Sequence, residues 1–185
     1  SPLATDGRRL AWLAGSQLVC HQALPSGLRP AWSCPWKGTC AALAWNAEGL
    51  WALQDANLSL YSAENGELRL SVQLPAPAFS VNLQGKDVWV CGHQGELWLC
   101  QSGVIQRNWP GHGETCFGFA ASPSHVIQCS GRRLHVLHQR SGRQHLLEIP
   151  QPCVLPALMG PQWAVMVSYE GMVYHLALDQ EQPRV

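Results

Sequence analysis

Charge is scarce in this sequence. Only 13% of its 185 residues are charged, twelve basic against twelve acidic, where an ordinary globular domain carries roughly a quarter. Lysine occurs twice, at Lys37 and Lys86, and the net charge is zero. General binding to a nucleic-acid backbone needs a basic footprint, so that class is excluded. Aspartate is confined to Asp6, Asp55, Asp87 and Asp179, mostly at turn positions. So few are a poor basis for paired acid–base carboxylates at one end of a central channel. No run reaches the roughly 20 apolar residues of a membrane-spanning helix. No GxSxG, GxGxxG or phosphate-binding loop occurs, which removes the commonest nucleophile and nucleotide signatures. No CxxC or HxxxH pair is present, and the single Cys-x-His is Cys91-Gly92-His93. Zinc modules need such spacing, so the expectation is no metal and no cofactor.

Other residue types are plentiful. Eight cysteines could form a disulfide framework, but such frameworks staple short secreted chains with weak cores. This chain is long enough to bury a core without them. Its cysteines also sit in apolar runs such as Trp89-Val90-Cys91 and Leu97-Trp98-Leu99-Cys100. Buried, reduced thiols are the expectation, and with them an intracellular setting, cytoplasmic or nuclear. The chain begins at Ser1 without a secretory apolar region and reads as a segment of a longer protein. Seventeen glycines and thirteen prolines are spread evenly, against both low-complexity disorder and long helices.

The punctuation is periodic. Turn markers at Gly15, Asp55, Gln94, Gly131 and Gly171 are separated by 40, 39, 37 and 40 residues. A second series, Gly27, Gly66, Gly103 and Gly142, steps by 39, 37 and 39. Short apolar runs lie between them, such as Leu50-Trp51-Ala52-Leu53 before the first turn and the alternating Leu134-His135-Val136-Leu137 after it. Alternation puts every second side chain on one face, as a strand requires. Each unit of roughly 40 residues holds four short strands, the pattern of a propeller blade. The reading is all-β: an arc of a β-propeller with about four and a half four-stranded antiparallel blades, eighteen strands in all. One partial blade covers 8–36, whole blades cover 37–75, 76–112 and 113–151, and a second partial blade covers 152–178. The remaining blades are expected elsewhere in the parent chain.

The stretch from Trp109 through Gly111-His112 to Ser122-Pro123 resembles the start of a WD40 repeat, which places Gly-His before its first strand and Ser-Pro after it. Leu58 to Leu68, with Asp55 at the preceding turn, is similar to the third-to-fourth strand junction of that family. No Trp-Asp dipeptide occurs, and Ser130-Gly131 stands where the family's Asp partner of His112 would be. A quinoprotein-like propeller is a close alternative. The resemblance implies a non-enzymatic interaction module inside an intracellular scaffold, with a protein or peptide partner. The runner-up is part of a propeller enzyme, or a quinone-cofactor relative, with its catalytic residues outside this segment.

Tryptophans sort into two groups. Trp12, Trp51, Trp89 and Trp98 lie in strands and are expected to pack between blades. Trp32, Trp36 and Trp109 lie in Pro-rich connections. If the inter-blade connections share one rim, as the resemblance implies, Trp36, His93, Trp109, His112 and Arg132 form an exposed partner-binding face, the residue types that dominate binding hot spots. His112 with Glu114 also reads as a base and its orienter, against a turn-stabilising role. His135 and His138, three apart on a strand, point to opposite faces. The Asn57-Leu58-Ser59 glycosylation pattern sits at a strand start and carries no functional reading.

Overall fold

A computed structural model describes residues 2–158 and 162–178. Its described residues form nineteen strands in five antiparallel sheets. The first sheet is β1 (Leu3–Thr5), β2 (Arg9–Ala14), β3 (Gln17–Leu24) and β4 (Gly27–Pro35). The second is β5 (Ala42–Asn46), β6 (Gly49–Gln54), β7 (Asn57–Tyr61) and β8 (Leu68–Gln73). The third is β9 (Ala78–Gln84), β10 (Asp87–Gly92), β11 (Leu97–Gln101) and β12 (Val104–Trp109). The fourth is β13 (Gly118–Ala121), β14 (His125–Ser130), β15 (Arg133–His138) and β16 (Gln144–Glu148). The fifth has three strands, β17 (Cys153–Leu158), β18 (Trp163–Ser168) and β19 (Val173–Ala177).

The first sheet corrects the sequence reading, which starts it at residue 8 with three strands. Three residues of β1 complete it, with Leu3 opposite Trp12 and Thr5 opposite Leu10. The Asp6 carboxylate accepts the backbone N–H groups of Arg8 and Arg9 at 2.9 and 2.7 Å, closing the turn that brings β1 back onto β2. Only Ala4 of this strand is buried, so it has no alternation to read. Trp32 is also relocated: it lies within β4 rather than a connection, and its indole N–H donates to the Ala63 carbonyl at 3.1 Å.

The chain divides into two compact units, one running to Gly92 and including Trp98–Asn108, the other comprising His93–Leu97 and the chain from Trp109 onward. Strand alternation builds the first unit. In β6, Leu50 and Ala52 join a cluster with Ala11, Leu18 and Trp36 of the first sheet and its exit. Trp51 and Leu53, on the opposite face of the same strand, pack with Val88, Val90 and Trp98 of the third sheet. A sheet with two apolar faces cannot stand alone, and its neighbours cover both. In the second unit, Ile127, Cys129, Leu134 and Val136 of the fourth sheet pack on Ala164, Met166 and Leu176 of the fifth. The outermost strands are the exposed ones, and β4 accommodates Pro30 because an edge strand can lack a ladder donor.

All eight cysteines are free, seven of them buried and Cys34 half-buried. Burial pushes the thiols of Cys20, Cys40 and Cys100 up to about 11. A hydrogen bond with Cys153, then burial, drives Cys129 upward as well. Thiolate is the nucleophile, so such thiols are inert. Iodoacetamide at neutral pH should label Cys34 first in the native chain and the other seven only on unfolding. Rapid native labelling of several thiols, read by mass spectrometry, would contradict this packing.

Candidate functional site

Three segments of the second unit converge: the Gln94-Gly95 turn, the loop after Trp109, and strands β14 and β15. Leu134 and Val136 of β15 face the fifth sheet, so alternation sends Arg133 and His135 to the other face. The Gln128 side chain, from β14, donates to the Gly95 carbonyl at 2.9 Å and pins the turn. Gly113 N–H and Cys116 N–H donate to the carbonyls of Gln94 and His93 at 3.1 and 2.9 Å. These bonds hold the loop against the turn at both ends.

Within this frame the His112 ring lies face to face on His135, with centroids 3.6 Å apart and planes 4° from parallel. His112 Nδ1 accepts the Glu114 backbone N–H at 3.2 Å, which leaves the proton of the neutral ring on Nε2. That Nε2 is buried against Gly95 and has no hydrogen-bond partner. The Glu114 carboxylate binds the Arg133 guanidinium through one oxygen and lies 3.4 Å from His135 Nε2 through the other. The Arg133 hydrogen bond holds the Glu114 carboxyl below its ordinary range. Burial, then the charge of His112, holds His135 below its ordinary value, with Glu114 opposing both.

Beside the stacked rings opens a small recess walled by Trp109, Pro110, His112, His135, Val136 and Gln144. Its walls mix aromatic and aliphatic surface with a few polar groups.

Two chemical readings fail on geometry. The donor atoms of His112, Glu114 and His135 lie within 4.8 Å of one another. An imidazole nitrogen binds a metal in its own ring plane, and two nearly parallel stacked rings with centroids 3.6 Å apart do not both direct a nitrogen at one ion. His112 Nδ1 is occupied by an N–H, and Glu114 is engaged by Arg133. This is a packed pair, not a metal centre. Nor does Glu114 orient His112 as a base, because its carboxylate goes to Arg133 and His135 while only its backbone touches the ring.

The expected rim is partly dispersed. Trp109 and His112 wall the same recess. His93 is exposed at the turn and joins the loop through its carbonyl. Arg132 is exposed in the turn between β14 and β15, its Nε donating to the Ile149 carbonyl at 3.3 Å. Trp36 is not on an exposed face: it is 6% exposed and belongs to the core of the first unit. Sequence reasoning missed His135 and Gln128. Alternation along β15 already sets His135 apart from Leu134 and Val136, and its distance from His138 agrees, since His138 instead bonds Ser141 and meets His125 edge-on.

No known protein-family profile matches the sequence, and no curated protein matches it. Solved structures do. The WD40 domain of Pan2 from Neurospora crassa superimposes with a TM-score of 0.78 over 95% of this chain at 12% identity. The fold is that of a WD40-like β-propeller. The chain spans 60% of that domain's length. The crystal structure of a computationally designed protein, Ika4, matches with a TM-score of 0.69 at 12% identity, covering 81% of this chain and 98% of its own. Against the WD40 pattern, His112 faces no carboxylate from the β14–β15 turn and stacks on His135 instead. Among the described residues no helix is long and apolar enough to cross a membrane.

Proposed function

We propose that the chain is a non-enzymatic interaction module of a larger intracellular scaffold, and that it captures a protein or peptide segment at the recess beside Trp109. The observation that carries the reading is the recess itself, an aromatic and proline wall beside a turn that Gln128 pins. Repeated sheets supply a rigid frame for such loops. The unbridged cysteines support an intracellular setting.

Peptides selected from a random display library against the chain test the site. Trp109→Ala should weaken their binding by about 2 kcal/mol or more, roughly thirtyfold. Its stability should change by only about 1 kcal/mol, short of the 3–5 kcal/mol of a core tryptophan. Peptides that bind the variant and the original chain alike would place capture elsewhere.

A further inference from the structure

We propose that the face-to-face His112–His135 pair is an acid-sensitive latch on the recess, closed while both rings are neutral and opened when both take up protons. The inference rests on reading the recess as the capture site, but the latch can be observed without any ligand.

The chemistry follows from where each proton must go. Neutral His112 already carries its proton on Nε2, so protonation adds one at Nδ1. That atom accepts the Glu114 backbone N–H at 3.2 Å. The added proton would face another N–H, and the bond that fixes the His112 ring within its own loop is lost. A first proton on His135 is better received, because Glu114 lies 3.4 Å from its Nε2. Glu114 is, however, already bound to Arg133. A second proton places two imidazolium rings with centroids 3.6 Å apart, only one of them beside a carboxylate, and like charges this close repel strongly.

Other charged groups around the pair do not cancel this. Arg133 of β15 adds positive charge beside His135. Glu148 of β16 lies 3.9 Å from Arg133 and engages it rather than the rings. On the turn side, the Glu96 carboxylate accepts the Gln94 N–H at 3.0 Å, and His93 is exposed. Arg132 is turned to the Ile149 carbonyl, and His145 of β16 pairs with Val136, one position from His135. Gln128 of β14, opposite His135, is uncharged.

The direction with pH is fixed. Burial and His112 hold His135 below its ordinary value of 6.5. Between that lowered value and 6.5 the unfolded chain binds more protons, so stability falls as pH drops through this window. Glu114, also lowered, gives up its contribution only at pH below its ordinary 4.5.

The test is a proton NMR titration of the histidine rings on the whole chain from about pH 8 to about pH 5. The cross-peak between the His112 and His135 rings should be present at neutral pH and disappear as the second ring protonates. The His135 ring should titrate below 6.5. His135→Phe keeps a flat ring that cannot take up a proton, so no pair of like charges forms in the stack and its contact with His112 should persist to about pH 5. Should that variant fail to fold, the titration of the unaltered chain decides alone. A cross-peak that survives to about pH 5, or is absent at neutral pH, overturns the latch. A selected peptide lacking His, Asp and Glu should bind about tenfold more weakly near pH 5 than at neutral pH. His135→Phe should bind it alike at both. Unchanged binding in acid also overturns the latch, while the dependence on Trp109 separately decides the capture site.

Discussion

Trp36→Ala should cost about 3–5 kcal/mol of stability, the loss of a core tryptophan, measured by denaturant unfolding. Its neighbours are polar or turn-forming, Pro35 before it and Lys37-Gly38 after it, so its local sequence reads as an exposed connection. Packing overrules this reading. The ring is 6% exposed, among Leu18, Cys40, Leu43 and Leu50, and lies 6.1 Å from Tyr61 centroid to centroid. Its backbone N–H donates to the Ser16 carbonyl at 2.8 Å, fixing the exit from the first sheet. The indole N–H has no hydrogen-bond partner, and an unsatisfied buried donor costs about 1–3 kcal/mol. Removing it returns part of the loss, so the result should sit toward the lower end of the range. Trp36→Phe separates the two contributions. It keeps a ring in the cluster and deletes the donor, and should cost less than about 1.5 kcal/mol. Trp51→Ala is the benchmark, since Trp51 is fully buried between the second and third sheets. If Trp36→Ala unfolds as easily as an exposed-site variant, within about half a kcal/mol of the original chain, the residue is not structural and the rim reading returns.

The same contrast explains what was legible in the sequence. Leu50-Trp51-Ala52-Leu53 announces a strand with two apolar faces, and the structure gives each face its own neighbour. Turn spacing reports the repeat because every sheet places a short turn between its second and third strands. The left-handed residues Gly15, Asp55 and Gly131 recur at the turn between second and third strands. Leu3–Thr5 escapes because a three-residue strand with one buried side chain carries no period. Trp36 escapes because its burial comes from a neighbouring sheet rather than from its own segment. Period two also puts His135 on the face away from the core. Which side chain meets it there depends on a loop more than twenty residues earlier, closed by backbone bonds to Gln94 and His93. Alternation encodes faces, whereas contacts between segments are written by tertiary closure.

Gly95→Ala should be the costliest change at the site, and Gly131→Ala is its matched control. Both glycines adopt left-handed backbone, at φ +83 and φ +61. A non-glycine residue there costs roughly 1–2 kcal/mol by backbone strain alone. A Cβ on Gly131 would meet nothing within 4 Å, so strain is its whole cost. A Cβ on Gly95 would overlap the His112 ring. Relief requires His112 to leave the stack or the turn to break the Gln128 bond, and overpacking of this kind adds about 1–3 kcal/mol. Denaturant unfolding should therefore rank Gly95→Ala below Gly131→Ala by that margin, with loss of the ring-to-ring NMR contact in Gly95→Ala only. The double variant Gly95→Ala with His112→Ala assigns the cause. Deleting the obstructing ring should remove most of the extra cost of the alanine, so the two changes together cost less than their sum. Equal losses for the two glycine variants, or strict additivity in the double variant, would mean that His112 does not occupy the space against Gly95.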